Sequence, residues 1–381
     1  MAWLGFGKKE TMDVITGDYY QSFSTPFGEI GKGNLTLPFI RSYSESDSYV
    51  RFGTDNLYAQ LINQMYHQSP LNGSIINFKR NSVIGGGYTI DESTLSAKEK
   101  LDLYTFSKKF NLSKLVHQTT LDLILHGRIL LLITKDKNDK ITNIQRLSPE
   151  TVRNNRKSTV YTTSDDWSRS TGMCKYPVFK INQPGDQVYE YTPSKGEAGQ
   201  TIYPIPQYCS SLNSAYLDGE IPFMMKSNLI NSIFPSLVIT VAKKMVTDEE
   251  KNQFKKQIES LKGPQETGRV IAFAANTPDQ LPTIIPIPTN ENDKLFTETI
   301  ENSKANICIA HQIDMLITGI RTPGKLGSGA ELPMAYAVFE KNVIMPLRGQ
   351  MEEFINDLLF INGIKSEFKI NEYRIIENNI V

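Results

Sequence analysis

Thr318-Gly-Ile-Arg-Thr-Pro-Gly-Lys-Leu-Gly-Ser-Gly-Ala330 separates two helical stretches, and the reading of residues 294–359 as helix, glycine-rich loop and longer helix organises the rest of the chain. The first stretch carries Leu295, Phe296, Ile300, Ile307 and Ile313 near helical period, so one face can be buried while Glu298, Glu301 and Lys304 stay wet. The loop holds four glycines and one proline, which disfavours regular structure, and its only charges are Arg321 and Lys325. The spacing then predicts a helix from Glu331 to Leu359, about 43 Å long at the standard rise. Its apolar face is Met334, Val338, Ile344, Met345, Phe354, Ile355 and Leu358. Pro346 removes a backbone hydrogen bond and clashes with the preceding turn, so a kink is expected there, softened by Gly349.

At 381 residues the chain can bury a substantial core in two or three structural units. Its 41 basic and 41 acidic residues cancel, so any contact with phosphate must come from local placement of charge. Cys174, Cys209 and Cys308 are odd in number and far apart, which predicts a reducing compartment and no disulfides. The most apolar run, Leu121 to Thr134, is broken by Asp122, His126 and Arg128, and Met1 to Phe6 is too short for a signal segment. The expectation is a chain neither exported nor membrane-spanning.

Residues 1–54 are rich in Gly, Ser, Thr, Tyr and Pro without a sustained period, and read as an extended arm. From Asp55 the apolar spacing predicts a helix pair punctuated at Ser69-Pro70 and ending before Gly85-Gly86-Gly87, a turn rather than a phosphate loop because no Lys-Ser/Thr follows. A helix at 112–125 leads into strands 129–134 and 141–147, joined at the Asp136–Asp139 tip as a hairpin. Strand-like pieces at 160–163, 177–181 and 188–191 follow, an α+β mixture. A long helix at 206–234, weakened near Gly219 and Pro222, ends at Pro235. After a strand at 236–242, Thr247 and Glu250 form a capping box that opens a helix with Phe254, Ile258 and Leu261 on one stripe. Arg269 to Ala275 is a second strand, and the proline-rich 278–288 returns the chain to the helix at Lys294.

This order of elements resembles the portal proteins of tailed bacteriophages, in particular the shorter lambdoid-type, HK97-like family. The most specific pieces are Ile309-Ala-His-Gln-Ile-Asp-Met-Leu-Ile-Thr-Gly319 and Phe339-Glu-Lys-Asn-Val-Ile-Met-Pro346. Tyr203-Pro-Ile-Pro206 stands where that family often has Gly-Ser-Pro, and only about 20 residues follow the last helix. The resemblance implies an extended N-terminal arm over 1–54, an α+β wing over 55–205 and a first stem helix over 206–234. It then implies a strand-helix-strand clip over 235–289, a second stem helix over 290–313 and a tunnel loop over 314–330. Residues 331–381 would be the kinked tunnel helix and C-terminal wing strands.

What it implies functionally is a virion protein at one capsid vertex, present in host cytoplasm during assembly. Copies of the chain, twelve by the family's pattern, would form a ring around double-stranded DNA bound without sequence specificity. Terminase large subunit, head-tail adaptor and major capsid protein would be its other partners, with no enzyme activity, cofactor or metal of its own. Thr318, Gly319, Arg321, Thr322, Gly324, Lys325, Gly327, Ser328 and Gly329 would face the DNA. Arg321 and Lys325 would form cationic belts whose many weak phosphate contacts permit sliding. The clip helix face Glu249, Lys251, Lys255, Lys256 and Glu259 would meet terminase and adaptor in turn, and the two clip strands would pair with those of adjacent subunits.

Two other readings compete. Gly319-Ile-Arg-Thr-Pro-Gly-Lys325 fits G-x-x-x-x-G-K and suggests a P-loop nucleotide hydrolase, but Leu326 replaces the Ser or Thr that would hold magnesium, and the preceding segment is helical. A generic cytosolic interaction scaffold is the third. His67, His117, His126 and His311 show no metal-site spacing, and Cys308 with His311 reads as helix packing.

Overall fold

The computed structural model describes residues 49–53, 55–169, 171–195, 202–231, 235–242, 269–275, 290–320 and 331–372, with the backbone alone described within 227–296. Helices α1 (Tyr58–Gln68) and α2 (Pro70–Ile84) are divided at Ser69, whose side chain accepts from Asn72 N–H while Pro70 occupies the first turn of α2. After β1 (Tyr88–Ile90) comes α3 (Ala97–Lys109), opened by a capping box between Ser96 and Glu99. Helix α4 (Leu112–His126) ends at Gly127, whose φ of +71° and closeness to Pro204 suit glycine.

The first sheet is antiparallel, with β2 (Ile129–Lys135) between β3 (Ile141–Leu147) and β7 (Gly185–Tyr191). Its central strand reads Ile-Leu-Leu-Leu-Ile-Thr-Lys because both faces are largely covered. The second sheet joins β4 (Val152–Asn154), β5 (Val160–Thr163) and β6 (Cys174–Pro177). The strand expected at 177–181 therefore ends at Pro177, where a ladder donor is lost, and beyond it Phe179 N–H donates singly to Val188 O.

A 3₁₀ turn, Gln207–Ser211, leads into α5 (Leu212–Asn231). Strands β8 (Pro235–Ala242) and β9 (Arg269–Ala275) are parallel neighbours. Within the chain they pair with each other, and among the described residues each keeps one outer edge. Helix α6 (Asn290–Ala310) runs beside α5. The last helix, expected to kink at Pro346, runs as α7 (Glu331–Phe339), a π turn (Glu340–Ile344) and α8 (Met345–Ile361), before β10 (Phe368–Ile370) pairs antiparallel with β1. The architecture is α+β.

One core joins these parts. Met65, Ile76, Ile129, Leu131, Phe354, Leu358 and Phe368 have no or almost no exposed surface, so α1, α2, α8, β2 and the C-terminal strand share one apolar interior. Gly86 lies against Asn371 O, where any Cβ would collide, and Asn371 N–H donates to Gly87 O. The triple glycine is the seat for the returning C-terminal chain. Val50 and Phe52 are buried too, so the folded body takes in the chain from Tyr49, ahead of the expected boundary at 54.

Candidate functional site

The helix pair α5–α6 leaves the body together. Every residue from Pro222 to Lys226 is exposed, and Thr297, Glu298, Glu301 and Asn302 are exposed on the facing helix. At its base, the Asp218 carboxylate accepts from Ser69 Oγ at 2.6 Å and from Leu71 N–H at 3.1 Å, and Gln68 Nε2 donates to Glu220 Oε1 at 2.5 Å. An acidic side chain at the first turn of α2 is favourably placed against its dipole, so α5 is fixed where it leaves the core.

The return helix α6 stops by a Schellman motif. Gln312 takes φ +54°, its N–H donates to Ile309 O, and Ile313 N–H donates to Cys308 O, with Ile313 and Cys308 buried together. The turn continues through Leu316 N–H to Asp314 Oδ1 at 2.8 Å and Thr318 Oγ1 to Met315 O at 2.7 Å, and Gly319 at φ +79° redirects the chain toward the loop. His311 fastens this turn to the body. Its ring stacks on Tyr208 at 4.8 Å, Nε2 meets Asn72 Oδ1 at 2.9 Å, and burial with the nearby Lys79 charge holds its pKa well below the ordinary value.

On the other side of the loop, the break in the last helix lies just ahead of Pro346, in the π turn. Pro346 has no N–H for Asn342 O, and the ladder lengthens there, with Met345 N–H donating to Glu340 O five residues back. Gly349 lies in regular α8, exposed, with open space where a Cβ would stand. The broken geometry is held by Arg348. Its Nη1 donates to Glu340 Oε1 at 2.6 Å across the π turn, while Nη2 and Nε donate to Ser82 O at 2.8 Å and Val83 O at 3.2 Å, carbonyls at the end of α2. Among those features only Pro346 is legible as a signal; Arg348 in sequence looks like any surface arginine.

Helix α7 is apolar and open to solvent. Met334 is 73% exposed and Val338 55%, one turn apart, and with Ile309 at 72% on α6 they border a groove of about 600 Å³ that also reaches Cys308, Ile313 and Phe339. A single exposed leucine is ordinary, but a contiguous set on two neighbouring helices marks a surface built to be covered.

No family model matches the chain. It is 20% identical over 233 residues to the "Probable portal protein" of Escherichia phage P2, an alignment covering 61% of this chain and 64% of that relative's length. A chain in the solved virion of a native gene transfer agent particle superposes with a TM-score of 0.58 at 13% identity, covering 83% of this chain and 84% of the other. A chain in the neck of the native particle, computed with C12 symmetry, gives 0.55 at 12% identity over the same shares of the two chains. The chain is similar to phage portal proteins. The expected resemblance and the α+β fold class both hold.

Of the portal residues expected to face DNA, Thr318 and Gly319 sit in the turn after α6, where Gly319 supplies the left-handed step. Arg321, Thr322, Gly324, Lys325, Gly327, Ser328 and Gly329 lie outside the described residues, as do the clip-helix residues Glu249, Lys251, Lys255, Lys256 and Glu259. The P-loop context is absent where it can be seen: Gly319 follows a helix and a turn instead of a strand, and α7 begins at Glu331, well past Lys325. Among the described residues no cluster of His, Cys, Asp and Glu could hold a metal, and no helix is long and apolar enough to cross a membrane.

Sequence reading also missed a buried polar network under the first sheet. Arg128 donates to Pro149 O and Val152 O, both at 2.9 Å, and Arg153 donates to Asn56 O at 2.7 Å and Asn56 Oδ1 at 2.8 Å. Tyr203 Oη donates to Val50 O, so arginine and tyrosine together tie the 49–56 segment to the second sheet. Backbone carbonyls, the amide oxygens of Asn56 and Asn154 and the buried Glu190 carboxylate beside Arg128 together satisfy the guanidinium groups, which is how two arginines can be fully buried.

Proposed function

We propose that this chain is the subunit of a portal ring at one capsid vertex, forming the channel through which double-stranded DNA is packaged and ejected. The observation that carries the reading is the likeness to a portal protein over 233 residues, joined to a fold shared with a chain of a virion neck. The geometry agrees in kind. Two helices leave the body together, and the apolar helix that begins at Glu331 is left uncovered in a single copy. A rotationally repeated contact between different surfaces of identical chains closes such faces and brings one loop per subunit to a common axis. Arg321 and Lys325 then supply the cationic lining. Twelve copies are proposed, in keeping with the C12 symmetry used for the similar neck.

The ring is structural rather than enzymatic, located in the virion and, during assembly, in host cytoplasm. Packaging ATP hydrolysis belongs to a terminase whose large subunit docks on the clip, where the head-tail adaptor later replaces it, while the major capsid protein surrounds the wing. Negative-stain images of the purified chain test the reading directly: rings with a central hole are expected, and a monodisperse single chain in solution and in particles overturns it. Lys325→Ala should leave ATP hydrolysis at background, and a lysine-dependent ATPase would favour the nucleotide hydrolase instead.

A further inference from the structure

Where α2, α4, α8 and the lead-in to α5 converge, a partly open cavity of about 250 Å³ enters the body. Lys79 lines it from α2, Leu347 and Gln350 from α8, Gln207 and Tyr208 from the 3₁₀ turn, and Ser194 from the segment after β7. Lys79 is only 4% exposed, yet among the described residues its ammonium has neither an ion pair nor a hydrogen bond, and the lining contains no carboxylate. Buried charges are ordinarily paired, because an ion removed from water without a partner costs several kcal/mol. Of the other polar side chains on the wall, Tyr208 already donates its hydroxyl to Leu125 O, whereas Ser194, Gln207 and Gln350 make no hydrogen bonds among the described residues and so remain available as donors. His311, beyond the Tyr208 wall and against Asn72, cannot be a counter-charge, because imidazole is either neutral or cationic. A water needs only about 10–15 Å³, so the cavity has room for a larger polar guest.

We propose that this cavity binds one small oxyanion of the phosphate or sulfate class, with Lys79 Nζ as charge partner and Gln350 and Ser194 as neutral donors. A cation is repelled by Lys79, and an apolar guest would leave its charge unmatched. Bound there, an anion would bridge α2 to α8 and to the start of α5, three elements that set the direction of the protruding helices and of the helix beside the loop. The depressed Lys79 pKa, about 8, still leaves the ammonium largely protonated at neutral pH and therefore able to pair.

The cavity lies within one chain, so the test reads independently of ring formation. Calorimetry and thermal unfolding of the full chain at pH 7 would compare phosphate, sulfate and chloride at matched ionic strength. Phosphate and sulfate are expected to bind and to raise Tm beyond chloride, with at least a tenfold loss of affinity in Lys79→Met and a smaller, several-fold loss in Gln350→Leu. Equal responses to the three anions, or a phosphate response unchanged in both variants, overturn the proposal. Should Lys79→Met not fold, Gln350→Leu decides: unchanged phosphate affinity there refutes the site.

Discussion

Lys79 is a cation held out of water, and that alone makes a prediction about stability. Burial lowers its pKa from 10.5 to about 8, so the unfolded chain binds the proton more readily and the folded state carries a penalty, full below about pH 8 and gone above 10.5. The difference corresponds to about 3 kcal/mol. Lys79→Met in phosphate-free buffer at pH 7 should therefore be more stable to urea by an amount of that order, and a loss of stability would mean that the ammonium is compensated. His126 acts with the same pH sense in a lower window. Burial, and then Arg128, Arg146 and Arg153, hold its pKa down at about 3, and its Nε2 meets Asn63 Oδ1 at 3.0 Å as a neutral ring. Its folded pKa is below the unfolded value of 6.5, so its contribution is complete above pH 6.5 and is lost as pH falls. Between pH 6 and 4 that is a slope of about 1.4 kcal/mol per pH unit. His126→Gln keeps an amide for Asn63 and should flatten the acid limb by one proton; an unchanged slope between the two proteins would show that His126 is not the group responsible.

Among the elements, the π turn and Arg348 give the cleanest experiment. Arg348→Met leaves Glu340 and the carbonyls of Ser82 and Val83 without their donor in a buried setting. A cost of about 2–4 kcal/mol is expected, with faster hydrogen exchange over 340–344, because removing one partner of a buried charged pair strands the other. Gly349→Ala is the contrasting case. The site is exposed, helical and spatially open, so about 0.5–1 kcal/mol of stabilisation is expected in urea unfolding, and destabilisation would reveal a close neighbour absent from the single chain. These two neighbours show why some of the structure is legible in sequence and some is not. Ser69-Pro70 marks the α1–α2 boundary because capping and a proline in the first turn act locally, and the Asp136–Asp139 tip marks its hairpin for the same reason. Pro346 signals a break but not its form, since whether the helix bends or inserts a π turn depends on what grips it, here α2 through Arg348. Helix α3 has its capping box in plain view at Ser96 and Glu99, but only Leu103 and Phe106 face the core, too few to impose a period. The β1–β10 pair is out of reach of any local rule: three-residue strands, Tyr88–Ile90 and Phe368–Ile370, meet across almost the whole chain. The oxyanion cavity was equally hidden, because a buried lysine and a surface lysine look alike until their neighbours are known.

For the whole molecule the question is what covers α7. Its stripe of Met334 and Val338 lies on the same groove as Ile309, while Phe223, Met224 and Met225 are exposed on the protruding part of α5. A single chain thus presents two separate apolar surfaces, one beside the loop and one along the helix pair. Contact between two different patches of identical chains propagates by rotation, and it closes into a ring when the rotation divides the circle. Burying such surfaces is favourable by about 25 cal/mol per Å² of apolar area, so large exposed side chains on this scale are a substantial driving force for assembly. Because Met334 and Val338 are mostly in solvent in the single chain, replacing both with aspartate removes that driving force without entering the core. The double variant Met334→Asp, Val338→Asp is expected to keep the wild-type circular dichroism and cooperative unfolding of the single chain. In light scattering it should be a monomer where the proposed ring is expected of the wild type, with intermediates for either single change. Full rings from the double variant would mean that α7 faces the channel, not a neighbouring subunit, and that the surfaces holding the ring together lie in the wing and the clip.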